Sequence, residues 1–170
     1  MMANIKKNKE KSFGFKSTLP FLTILFLIIM MVLPYNIPLI DDIMPFLTLI
    51  GVYYWSVFKP ELVPVSVIFV LGLIQDILLG SPFGLMSLLL VVVQQFIFIQ
   101  GRQFLERDFL FNWFVFVMIV IGFGALSWGI TSLYFRVFLD FIDVIGQILL
   151  TIAFYPLITW MLGLIKKAIG

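Results

Sequence analysis

From residue 19 to residue 165 the chain is one apolar run after another, broken by charge only briefly, around Asp41 and Asp42, at Lys59, from Arg102 to Arg107, and from Arg136 to Asp143. None of these breaks is long enough to fold by itself, and the longest polar stretch is the N-terminal tail of about eighteen residues. With 62% hydrophobic and 12% charged residues in 170, and a mean hydropathy of +1.16, a globule would have too little polar surface to face water. The chain reads as all-α and polytopic, with its chemistry confined to the bilayer or its surfaces.

A helix needs about 20 residues to cross a hydrocarbon core of about 30 Å and manages with about 17. Six runs approach that length: 19–33, 43–58, 62–79, 83–100, 109–135 and 144–165. The second is short and the fifth long, so a compact bundle with tilted or kinked members is expected. Three parts follow: a basic cytoplasmic tail over 1–18, a transmembrane domain of six helices over 19–165, and a short cytoplasmic tail over 166–170. The lysine-rich start imitates a secretory signal. Beyond Leu33, however, the sequence Pro34-Tyr35-Asn36-Ile37-Pro38 lacks the small-x-small pattern of a cleavage site, so the first run is expected to be retained.

Threading six spans in alternation places Lys6, Lys7, Lys9, Lys11, Lys16, Lys59, Arg102, Arg107, Lys166 and Lys167 on one side and only Arg136 on the other. The positive-inside rule then puts both termini in the cytoplasm. The basic tail serves as a topogenic signal and a surface for anionic lipid, and nothing beside it supports binding to nucleic acid.

Within the third run stands Asp76, about four residues, or roughly 6 Å, from its outer end. An ionised carboxylate at helix centre costs roughly 2.5 to 3.5 kcal/mol on insertion scales, less near an end, and here it faces the negative end of its own helix dipole. It therefore needs a partner, either the free backbone N–H groups of the turn Gly80-Ser81-Pro82-Phe83-Gly84 or Arg136. It either pins a helix hairpin at headgroup depth or helps to bind a partner protein. A proton relay would need further titratable groups within the spans.

Other polar residues in the runs read as packing. Gln94 and Gln95 are expected to hydrogen-bond across helices. Gly122, Gly124, Ala125 and Gly129, with Ser127 and Thr131, give the fifth helix small surfaces; Gly122, Ala125 and Gly129 recur at helical spacing and allow close approach, with Gly72 on the third helix facing it. Trp55, Trp113, Trp160, Tyr53, Tyr54, Tyr134 and Tyr155 are expected at the interfaces. The absence of histidine and cysteine excludes imidazole bases, thiolates, disulfides and the usual transition-metal sites. Asp140 and Asp143 suit the start of a helix as caps. No enzyme activity and no cofactor are expected. Gln75, Asp76, Ser87, Gln94 and Gln95 are the polar groups a small-molecule transporter component would have to gather in one cavity.

An aromatic-rich end of the second run, Lys59-Pro60, a third run carrying Gly72-x-x-x-Asp76, and the turn from Gly80 to Gly84 into an apolar fourth run resemble the signature of the MreD family of bacterial rod shape-determining membrane proteins. Met86 stands where a polar or charged residue is expected. The resemblance implies a non-catalytic scaffold of cell elongation and peptidoglycan synthesis in the cytoplasmic membrane. Such a scaffold docks the bitopic protein MreC and, through it, connects MreB with RodA and a class B penicillin-binding transpeptidase. It also implies a fold similar to the S components of energy-coupling-factor transporters. Carried onto this chain, it singles out Gly72, Asp76, Gly80, Pro82 and Gly84, with Lys59 and Pro60 on the cytoplasmic side.

Overall fold

A computed structural model describes residues 18–33, 43–104, 108–137 and 140–169. The tail up to residue 17, Asp41, Asp42 and Arg107 lie outside these residues. The described chain is helical throughout, without strands: α1 (Thr18–Val32), α2 (Leu47–Phe58), α3 (Val65–Leu79), α4 (Leu85–Phe104), α5 (Phe109–Phe135) and α6 (Phe141–Ile169), with a 3-10 turn over Pro60–Leu62. Of these, α5 and α6 are long and apolar enough to cross a membrane by length and composition, and the other four are shorter apolar helices.

Prolines account for where the short helices start. Residues 43–46 form no regular element ahead of α2, and the Leu47 N–H closes a tight turn onto the Pro45 carbonyl. Lys59-Pro60 ends α2 and opens the 3-10 turn, and Pro64, extended at φ −64° and ψ 155°, sets the start of α3. At 12 residues α2 is about 18 Å long, well short of a hydrocarbon core.

That short helix is the centre of the molecule, because ten consecutive residues from Thr48 to Val57 are buried. On one side α1 covers it, where Ile24 and Leu27 lie against Gly51 and the Trp55 indole N–H donates to Thr23 Oγ1 at 2.9 Å. On another side α6 gives Thr151, whose Oγ1 accepts the Phe46 N–H at 2.9 Å. Helix α5 closes a third side, its Asn112 carbonyl accepting the Tyr53 hydroxyl at 2.9 Å. Around Tyr53 the rings of Phe116 and Tyr155 stack at 4.2 Å, and Tyr53 meets both edge-on.

Of the aromatic residues expected at the interfaces, Trp55, Tyr53, Tyr54 and Tyr155 are buried in the core, while Trp113, Trp160 and Tyr134 are exposed. The fifth helix also departs from expectation. A Cβ added at Gly122 or Gly129 would meet nothing within 4 Å, and Ala125 is exposed. Of the small residues expected to pack, Gly124 does seat a neighbour, Ile148 of α6.

Candidate functional site: a hairpin held by a buried carboxylate

Among α2 to α6, helices α3 and α4 form the most extensive pair, and Gly72 lets their backbones come close. A Cβ on Gly72 would stand 2.4 Å from the Cα and 2.7 Å from the backbone nitrogen of Ser87, so the two backbones touch at this point. The expectation that Gly72 faces the fifth helix is thus corrected: it faces the fourth. Ser87 returns the contact by donating its hydroxyl to the Phe69 carbonyl of α3 at 3.0 Å.

One turn beyond Gly72, Asp76 is 1% exposed and fully engaged. Its Oδ1 accepts the Ser81 hydroxyl at 2.6 Å and the Met86 N–H at 3.0 Å, and its Oδ2 accepts the Gly84 N–H at 2.9 Å. Met86 is the second residue of α4, so a carboxylate that opposes the dipole of α3 is favoured by the dipole of α4. Of the two partners that the sequence offers, the turn is the one used. Arg136 is exposed in a left-handed conformation at the end of α5 (φ 55°) and is not among the groups that bond Asp76.

The chain reverses within five residues because Gly80 (φ 66°) and Gly84 (φ 91°) adopt left-handed conformations that suit glycine. Gly80 and Ser81 both donate backbone N–H groups to the Asp76 carbonyl, ending α3, and the Pro82 carbonyl accepts the Leu85 N–H at 3.0 Å to begin α4. Pro82 is buried under the turn, whereas Phe83 at its tip is 73% exposed.

At the far end of the same helix pair Gln94, 5% exposed, donates from Nε2 to the Val63 carbonyl at 2.6 Å and so ties α4 to the connection after Lys59 and Pro60. Its neighbour Gln95 is exposed and makes none of the expected interhelical contacts. Gln75, Asp76, Ser87, Gln94 and Gln95 consequently do not converge. Asp76, Ser87 and Gln94 are spent on backbone groups, Gln95 points outward, and Gln75 alone lines a cavity.

That cavity, of about 430 Å³, is a feature that reading along the sequence missed. It lies where α1, α3 and α5 finish and α2, α4 and α6 begin, and brings Gln75 together with Asp140, Asp143 and Gln147. Gln75 and Gln147 are apolar-run residues some seventy positions apart, and only the packing joins them. No group of His, Cys, Asp or Glu suited to a metal ion occurs among the described residues.

A family model described as rod shape-determining protein MreD matches residues 12–168, nearly the whole chain. No curated protein and no solved structure gives a significant match.

Proposed function

Because the chain belongs to the MreD family of rod shape-determining proteins, we propose that it serves cell elongation as a non-catalytic membrane scaffold. In this reading it docks an MreC-like bitopic protein and, through that protein, links MreB to RodA and a class B penicillin-binding transpeptidase. The observation that carries the reading is the hairpin of α3 and α4. A buried carboxylate with three charge-assisted hydrogen bonds fixes the tip, so that exposed Phe83 and the outer apolar side of α3, with Phe69, Val70 and Ile77, are presented rigidly. A partner's transmembrane helix packs on such a face by shape and needs no catalytic group.

The reading makes a spatial prediction. A photo-crosslinking residue at Ile77 or Phe83, introduced at native expression, captures an MreC-like protein. One at Leu133, an equally exposed position on α5, does not. Equal capture from Leu133, or capture of a transport ATPase instead, would count against the docking face.

We also propose that all six helices cross the membrane as one bundle with both termini cytoplasmic, an architecture similar to that of S components. The buried state of α2 supports its crossing despite its length. Non-helical backbone is tolerated at membrane depth when protein surrounds it and satisfies its donors. The irregular lead-in at Phe46 meets that condition through Thr151. Lys166, with Nζ 4.0 Å above the Phe58 ring, gathers with Lys59 at the end opposite the Asp76 turn, as the charge bias requires. The chain has no cysteine of its own, so single cysteines report cleanly. Phe83→Cys is expected to label from outside intact cells and Glu61→Cys only after permeabilisation; the reverse pattern would invert the topology.

A further inference from the structure

At the end opposite the Asp76 turn, α2 and α6 finish side by side in an arrangement that neither the hairpin nor the core explains. Tyr54 and Phe58 stand one turn apart on α2 with ring centroids 4.7 Å apart, and Lys166 of α6 sets its Nζ 4.0 Å above the Phe58 ring. An ammonium seated on a ring face is held in place and keeps N–H donors on its far side. Lys59, the residue after Phe58, is near enough for its charge to be felt at Lys166. Three residues before Lys166, Gly163 leaves a notch, where an added Cβ would meet only the Tyr54 hydroxyl, at 3.7 Å, within 4 Å. In helical register Lys166 and Lys167 flank that notch. Tyr54 is 5% exposed, and its hydroxyl, bonded to none of the described residues, is not sealed from the surface as the Gln75 carbonyl oxygen is. Beside the notch Leu157, Trp160 and Leu164 form an exposed apolar stripe along α6 that ends at Lys167. Against the three lysines, the described acids of this end are Glu61 and Asp108, so it remains positive.

We propose that the notch binds a phosphate-bearing anion, the phosphodiester of an anionic glycerophospholipid in the adjoining leaflet. Lys59 and Lys166 supply counter-charge from one side and Lys167 from the other. Tyr54 donates its hydroxyl to a phosphate oxygen, and Gly163 gives the headgroup room to reach it. An anion at this place also offsets the repulsion between neighbouring lysines. One acyl chain follows Leu157, Trp160 and Leu164 towards the bilayer centre. A zwitterionic lipid presents the same phosphate but brings its own cation towards the lysines, and so binds less well. A soluble phosphate ester offers the same anion without the chains, and the apolar stripe beside the notch favours the lipid.

The test uses the full chain, stripped of lipid in dodecyl maltoside, and counts bound phosphatidylglycerol and phosphatidylcholine by native mass spectrometry across a concentration series. Saturable binding of phosphatidylglycerol is expected, at least about tenfold tighter than that of phosphatidylcholine. Lys59→Gln with Lys166→Gln should weaken it about tenfold, and Gly163→Leu, which fills the notch, by a similar factor. Tyr54→Phe, which keeps the ring on Phe58, should weaken it less. Lys166→Arg keeps both the charge and the ring contact and should retain binding, which separates loss of the site from loss of the fold. Excess glycerol 3-phosphate distinguishes the sources: displacement of the lipid identifies a soluble phosphate ester, and undiminished binding identifies the lipid. Equal binding of the two lipids, or phosphatidylglycerol binding unchanged in both the lysine double variant and Gly163→Leu, would overturn the site. Neither a partner protein nor membrane orientation enters the measurement, so its outcome is separate from the docking and topology readings.

Discussion

Gly72→Ala is expected to destabilise the bundle by about 2 to 3 kcal/mol, although the same exchange in an open helix position gains up to about 1 kcal/mol in helix propensity. The added methyl would stand 2.4 Å from Ser87 Cα and 2.7 Å from Ser87 N, and backbone atoms cannot rotate away as a side-chain end can. Helices α3 and α4 would have to separate by an ångström or so, weakening the Ser87 bond to Phe69 and pulling the Met86 N–H away from Asp76. Ser87→Gly should not rescue the variant, because the obstruction is backbone. Gly122→Ala provides the control: with nothing within 4 Å of its Cβ, it should be neutral or slightly stabilising. Unfolding in mixed micelles would check the pair, and equal stabilities for the two alanine variants would refute the close contact.

The second large effect is expected at Asp76. In Asp76→Asn one oxygen remains to accept from Ser81 and Met86, but the amide nitrogen that replaces the other oxygen points its hydrogens at the Gly84 N–H. Loss of one charge-assisted bond, with two donors left facing each other, costs about 2 to 3 kcal/mol. Asp76→Ala, which strips all three donors of their acceptor, should cost more. Because the apolar runs are untouched, insertion and topology should be preserved while the tip of the hairpin loses its fixed shape. Capture of the partner through Phe83 should therefore fall together with unfolding stability. A variant with wild-type stability and wild-type capture would remove Asp76 from both roles.

How much of this could be read along the chain depended on whether the signal was local. The turn after Asp76 was legible because glycine and proline at fixed spacing dictate backbone geometry and a carboxylate beside them needs donors. The fifth apolar run and α5 coincide at residues 109–135 because nothing within that run interrupts a helix. The surroundings of each helix were not legible. In water, polarity separates an inner face from an outer one, but lipid and protein interior are both apolar, so Trp55 at the centre and Trp160 at the surface carry no distinguishing pattern. For the same reason Gly122, Ala125 and Gly129 looked like a packing face and are open, and Gln95 looked like Gln94. The cavity was hidden because its polar groups come from three helices, each contributing too little to mark a site.

The hydroxyl that completes the start of α2 belongs to a residue 105 positions later in the chain. At ribosomal rates of about 5 to 20 residues per second, that interval is roughly 5 to 20 s. Throughout it the central helix exists without its final neighbour and with the Phe46 amide lacking its eventual acceptor. The segment made second therefore reaches its mature setting only once the last helix is in place. Premature release of the nascent chain before Thr151 emerges would leave a product whose centre is chemically incomplete, a state suited to recognition by membrane quality control.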